Sequence, residues 1–348
     1  MTITQSESAP LVAVVGSTGI QGGSVIKALS ESDKPYRIRG FTRDPTKATA
    51  EKLRKSGVEM VAIDLVLENK EDVSKAFAGA DYVFLVTNFW EHMDWERELS
   101  EGKMLVDAAK AASVKGIIWS GLAHAKKISG GKYSLVGHFD SKAQVTEYGR
   151  ASGVPFVDVQ AGFYASNFLG NFPLIVKEPD GTYCSISFNS DFDPSARARL
   201  SSASSAKTKI APYVLPWPVR PTTVVPLIDM DNDYGLYVRR VLELPVFPDG
   251  SVVCTTSEDI AVGEITHQLS QVSGKKIVFK QITAEDATKN FIASGIPPAI
   301  TADLVEGMQF HDEFGYYGGR ATTREGLAQP TRTFTEFAKG VDWNKILV

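Results

Sequence analysis

The sequence predicts a doubly wound α/β fold on a parallel sheet, and three observations carry that reading. First, a Val-rich run, Val12-Ala13-Val14-Val15, ends in glycines at Gly16, Gly19 and Gly22, and a helical apolar pattern follows at Ile20, Val25, Ile26 and Leu29. This is a buried strand, a tight turn and a helix start. Second, short apolar runs alternate with helical patterns as far as Gln160, which calls for parallel pairing. Third, the chain has 348 residues, 43% hydrophobic and 22% charged, ordinary for a soluble globular protein with ample core.

The predicted elements follow in order. After the first helix, residues 36–42 read as a second strand and residues 47–56 as a polar helix. Residues 58–63 form a third strand, ended by Asp64, and a helix over 70–78 leads to strand four at 82–86. A long helix covers 95–112, strand five is 116–119, a helix runs over 138–152, and strand six is 156–159. Right-handed crossovers make residues 1–160 a Rossmann domain. Residues 161–348 are predicted to form a smaller α/β substrate or partner lobe, partly interleaved with the first. In it, 183–188 reads as a strand, 224–228 as a strand entering a helix over 231–242, and 252–272 and 276–291 as two strand–helix pairs. Apolar patches follow at 300–310 and 334–341. The Ser/Ala-rich stretch 194–209, with Arg197, Arg199, Lys207 and Lys209, reads as a solvated loop, with a lid or a basic arm for a partner as the alternatives.

Composition excludes some function classes. A net charge of −4 gives no general attraction to nucleic acid or to an anionic membrane. No apolar stretch is long enough to span a bilayer. Cys184 and Cys254 make no disulfide framework, and the first ten residues lack the basic and apolar regions of a signal peptide. Cytoplasm or nucleus is therefore expected. His92, His124, His267 and His311 show no metal-ligand spacing.

The glycine turn points to a dinucleotide. Gly16 turns the chain off the strand, Gly19 lets a pyrophosphate approach the backbone, and Gly22 lets the helix pack on the sheet. The free N–H groups at the helix start then hold phosphates. The second strand ends Thr42-Arg43-Asp44-Pro45-Thr46-Lys47. The planar fork of Arg43, helped by Lys47, suits a 2′-phosphate and so NADP(H); Asp44 on the ribose hydroxyls is the alternative. Asp64 is placed to accept from an adenine amine or to cap a helix, and Thr87-Asn88-Phe89 closes strand four on the cofactor side. Ser120 ends strand five, and His138 and Lys142 share one helix face.

These motifs together resemble the NmrA-like family, a branch of the atypical short-chain dehydrogenases, and its NADP-sensing members most of all. The resemblance rests on Gly16 to Gly23, Thr42-Arg43-Asp44-Pro45, Val86-Thr87-Asn88-Phe89-Trp90-Glu91, Trp119-Ser120-Gly121-Leu122, His138-Phe139-Asp140-Ser141-Lys142 and Gly162-Phe163-Tyr164-Ala165-Ser166-Asn167. It is strong over residues 11–169 and traceable beyond. It implies NADP(H) contacts at Gly16, Ser17, Thr18, Gly19, Ile20, Gln21, Arg43, Lys47, Asp64, Thr87, Asn88, Lys142, Tyr164, Ala165, Ser166 and Asn167. Short-chain dehydrogenases place a proton-donating Tyr four residues before the Lys; here that position is His138. Catalysis is therefore expected from Lys142 with His138 or Ser120. The cleft would be lined by Phe89, Trp90, Tyr164, Phe168 and Trp217. The family contains true reductases and nucleotide sensors. The expected activity is NADPH-dependent reduction of a small organic carbonyl, imine or enone. A non-catalytic redox sensor that acts on a regulatory protein is the alternative. The chain departs from the sensors over 183–224, where it is longer and carries Trp217 and several prolines.

Overall fold

In the computed structural model, which describes residues 3–169, 175–177 and 213–347, the first half of the chain alternates strand and helix as its apolar runs require. Strand β1 (Leu11–Val14) leads to α1 (Ile20–Ser30), β2 (Arg37–Thr42), α2 (Ala48–Lys55), β3 (Glu59–Ala62), α3 (Lys70–Ala76) and β4 (Tyr82–Leu85). Next come α4 (Phe89–His92), α5 (Trp95–Ala111), β5 (Gly116–Trp119), α6 (Ala125–Ile128), α7 (Gly137–Arg150) and β6 (Phe156–Gln160). The second half holds β7 (Phe163–Tyr164), β8 (Val176–Lys177), β9 (Tyr213–Trp217), β10 (Val224–Ile228), α8 (Tyr234–Glu243), β11 (Val252–Cys254) and β12 (Glu258–Ala261). It ends with α9 (Val262–Ser273), β13 (Ile277–Gln281), α10 (Ala284–Ala293), α11 (Pro298–Phe314), α12 (Phe334–Lys339) and α13 (Trp343–Ile346).

Seven strands form one parallel sheet in the order β11-β6-β5-β4-β1-β2-β3. Its two faces follow from the period of β1. Val12 and Val14 pack with Val25, Ile26 and Leu29 of α1 and Tyr234, Tyr237 and Val238 of α8. Leu11 and Ala13 pack with Val73 of α3, Met104 and Leu105 of α5 and Val145 of α7. The direction of winding reverses between β1 and β4, so a crevice opens at the carboxyl ends of those strands.

Two three-stranded sheets, β12-β10-β7 and β13-β9-β8, complete the architecture around a separate aromatic core. The stretch predicted as one strand and one helix over 252–272 contains two strands. β11 joins the large sheet beside β6, and β12 turns back antiparallel on β10. β11 and α8 thus lie C-terminal to residue 160 yet build the large sheet and its cover. Strands β7 and β9 were not foreseen, and the apolar patches at 300–310 and 334–341 are α11 and α12. Residues 183–188 and 194–209, together with Cys184, lie outside the described residues; Cys254 is buried and free. Among the described residues no helix is long and apolar enough to cross a membrane.

Candidate active site

The glycine turn lies at the reversal point. Gly16 has φ +67°, a left-handed conformation that a side chain would strain. A Cβ on Gly22 would overlap the Gly16 carbonyl and lie 2.8 Å from Ser17 N, so this glycine lets α1 close on the turn. A Cβ on Gly19 would meet only the Gly16 carbonyl oxygen, at 3.3 Å. Gly19 is the residue before α1, makes no side-chain cap and is followed by no acid in the first turn. Thr18, Gly19 and Ile20 are exposed. The first amides of α1 are therefore open to an anion. Ser17 departs from its predicted place: its side chain is buried, and Oγ donates to the Phe41 carbonyl at 2.8 Å, so only its backbone is left for a ligand.

The ribose end is set by β2 and β4. Arg43 is exposed beside the turn and pairs with Glu91 of α4 at 2.5 Å. Hydrogen bonding and the charge of Glu91 push the guanidinium pKa further up. The Asp44 carboxylate is occupied by Thr46, accepting from its backbone N at 2.9 Å and its hydroxyl at 2.6 Å. Lys47 stands exposed before α2. Asp64 caps no helix, since the helical turns after it begin at Leu67 and Lys70; its charge acts on Arg43. Asn88 precedes α4, and Phe89 is buried behind it. Ala165, Ser166 and Asn167 form a 3-10 turn after β7. Tyr164 accepts a hydrogen bond from Gln21 Nε2, joining the glycine turn to β7, and burial pushes its phenol up to about 12.

Lys142 does not stand free. Its Nζ lies 3.0 Å from the Thr87 carbonyl, 2.9 Å from Thr87 Oγ1 and 2.7 Å from Glu98 Oε1. Glu98, on the first turn of α5, also accepts from Ser141 and from Thr87. Burial alone would raise its carboxyl; the Lys142 charge and these hydrogen bonds outweigh that and hold it below the usual carboxylate range. Sequence reasoning missed Glu98. The available signal was register: Glu98, Gly102, Leu105 and Ala109 share the buried stripe of α5, so an acid sits at a core position.

His138 lies one turn before Lys142. Its backbone N–H donates to Asp303 Oδ2 of α11 at 3.0 Å, and its Nδ1 is bonded to Asp303 Oδ1. Its ring packs against Phe89 and Trp90, with centroids 5.8 and 5.4 Å away. Among the described residues no hydrogen bond to Nε2 is found. Ser120 is buried close to the Tyr234 hydroxyl, which donates to the Val159 carbonyl at 3.0 Å. Phe168 and Trp217, expected in the cleft, instead stack in the core of the smaller sheets, 6.3 Å apart and beside Phe163.

One buried acid nearby has no ion-pair partner among the described residues. Asp158 of β6 accepts from Gln160 at 2.8 Å, while its Oδ1 packs on Gly121 and finds no partner among the described residues. Burial pushes its carboxyl up to about 6. An unfolded Asp titrates near 3.9, so between the two values the native state binds more protons. Stability therefore falls as pH rises through that window, by roughly 2–3 kcal/mol once the carboxyl is ionised. Asp158→Asn should raise the melting temperature near pH 8 and change it little near pH 4. Equal shifts at both pH values would mean that ionisation of Asp158 is not the cause.

Comparison with known proteins agrees with this fold. The profile of the NmrA-like family matches residues 8–344. The chain belongs to the NmrA-like family. An NmrA-like family domain-containing oxidoreductase of Penicillium ochrochloron is 28% identical over 323 residues, covering 91% of this chain and 88% of that protein. The NmrA-like fold superposes on NmrA, a negative transcriptional regulator solved with NADP, at TM-score 0.71 and 19% identity, covering 98% of each chain; NmrA has also been solved with NAD. An NADPH-dependent quinone oxidoreductase of Escherichia coli, complexed with NADPH, gives TM-score 0.69 at 19% identity, covering 94% of this chain and 99% of that one.

Proposed function

We propose that this NmrA-like protein is an NADPH-dependent reductase of a small organic carbonyl, imine or enone. The observation that carries the reading is the open, uncapped N-terminus of α1 at the sheet's reversal point, with exposed Arg43 beside it and His138 Nε2 free in an aromatic wall. The donor set fits the dinucleotide: amides of Ile20 and Gln21 for the pyrophosphate, Arg43 and Lys47 for the 2′-phosphate, and Thr87, Asn88 and Tyr164 to Asn167 along the remainder. When bound, it supplies the reducing equivalents. The chain's own groups do the rest. Phe89 and Trp90 wall the substrate and exclude water. Lys142, held by Thr87 and Glu98, keeps a positive charge beside the oxygen that becomes negative. Its donors are matched by protein acceptors and Ser120 is buried, so the proton comes from His138.

NADPH consumption across a panel of ketones, imines, enones and quinones tests the reading; tight nucleotide binding with no turnover on any class overturns it. Cofactor preference is tested by titration. Arg43→Ala should weaken NADPH by about ten- to a hundred-fold, the value of a charge-assisted pair at roughly 1.5–3 kcal/mol, and leave NADH nearly unchanged. Glu91 competes for the same guanidinium at a surface pair worth about 0.2–1 kcal/mol, so Glu91→Gln should tighten NADPH a few-fold and not NADH. Equal losses for both nucleotides on removing Arg43 would move the assignment to the ribose hydroxyls.

The Arg43–Glu91 contact also favours a second reading, a nucleotide sensor. A 2′-phosphate on Arg43 releases Glu91, and α4 with it, so NADP(H) occupancy changes a surface at Trp90 to Met93. Partner recovery that is indifferent to NADPH counts against it.

A further inference from the structure

We propose that Asp303, delivered by α11, is the positioning residue that holds the His138 imidazole as the site's proton donor. This rests on the reductase reading above. Asp303 reaches His138 across 165 residues of sequence, and both of its carboxylate oxygens are used there, Oδ2 on the backbone N–H and Oδ1 on Nδ1. Both side chains are largely shielded, 14% and 6% exposed. A carboxylate accepts only, so it selects the ring form with a proton on Nδ1 and stabilises the imidazolium when Nε2 is protonated too. The ring packs on Phe89 and Trp90, and Nε2 has a proton to donate when the ring is the imidazolium. The arrangement has the logic of a base or acid oriented by a third group.

The other candidates for the proton are otherwise engaged. Lys142 Nζ has Thr87 and Glu98, and Ser120 is buried, 2% exposed. From α11, Asp303 bonds the His138 ring and His311 lies close enough to feel its charge; Lys142 is one turn along α7, and Phe89 and Trp90 of α4 pack on the ring. His311 is neutral, since burial pushes its ring down to about 3, and brings no competing charge. In the step itself, the substrate oxygen gains the electron pair of the reduced double bond. The Nε2–H bond of the imidazolium breaks, an O–H bond forms, and neutral His138 regains its proton from water.

A merely structural role has a different signature. Asp303 also satisfies the His138 amide in the first turn of α7, which has no side-chain cap of its own. Asp303→Asn keeps that cap through its amide oxygen. Its NH2 then faces Nδ1 and makes that nitrogen an acceptor, so the neutral ring carries its proton on Nε2. Histidine side-chain nitrogen NMR on the full chain with NADPH bound, assigned with His138→Gln, reads this directly. Wild type should show the Nδ1–H form and Asp303→Asn the Nε2–H form. With a carbonyl substrate from the panel, Asp303→Asn should lose about a hundred-fold or more in kcat, with KM and NADPH affinity little changed. An Nε2–H ring in wild type, or unchanged kcat in a folded Asp303→Asn, overturns the proposal. If the wild type turns over no substrate, the reductase reading fails, and the tautomer result alone decides whether Asp303 sets the ring. If Asp303→Asn does not fold, the wild-type tautomer still decides.

Discussion

Lys142→Met should cost about 3–5 kcal/mol of stability, because it strands the buried carboxylate of Glu98. Glu98 is 2% exposed and has its oxygens on Lys142, Thr87 and Ser141. Taking both charges away together is far cheaper than taking one, since no unpaired ion remains. Glu98→Gln with Lys142→Met should therefore regain most of the loss, and the non-additivity in a double-mutant cycle measures the coupling. Thermal melts should show Lys142→Met falling by on the order of 5–10 °C. The pair also has a pH signature. The Glu98 carboxyl titrates lower folded than unfolded, so its contribution is complete above the unfolded value near 4.3 and is lost as pH falls through the folded one. A Lys142 variant that melts like wild type would show the pair to be solvated. The consequence for function is direct: loss of activity in a Lys142 variant is evidence for catalysis only if the protein is still folded at the assay temperature.

The second large effect separates two glycines of one motif. Gly22→Ala should unfold or severely destabilise the protein, by about 3 kcal/mol or more, because the added methyl group overlaps backbone that cannot move aside. Gly19→Ala should leave the stability within about 1 kcal/mol of wild type, since its backbone is extended and only one oxygen lies at 3.3 Å. The same methyl group stands where a pyrophosphate must approach, so Gly19→Ala should weaken NADPH and NADH alike, by about ten-fold or more. Melting curves and nucleotide titrations on both variants decide it. A Gly19→Ala protein that binds both nucleotides normally would remove the pyrophosphate from this turn.

Much of the fold was legible locally. The run into Gly16, the register of α1 and the strand–helix alternation to Gln160 need only neighbours a few residues apart. A one-residue error in those elements would turn a buried face to water, so the apolar pattern marks them strongly. The same holds for Arg43 after β2 and for the His138–Lys142 face of α7, whose places follow from strand ends and helical spacing. Other features had no such signal. The sequence reads one strand in 252–272, and only the pairing of β11 with β6 places its three residues in the large sheet.

What the sequence by itself determined is where the elements lie, which loop turns on glycine and which helix face carries His138 and Lys142. The tertiary structure alone decided which partners those side chains have. Lys142 meets Glu98 from α5, His138 meets Asp303 from α11, Arg43 meets Glu91 from α4, and Trp217 goes to the core and not to the cleft. The physical reason is that helix and strand periods are written into adjacent residues, whereas ion pairs and hydrogen bonds across 44 to 165 positions of chain depend on which surfaces pack together. Burial then sets the strength of those pairs, and burial is a property of the folded whole.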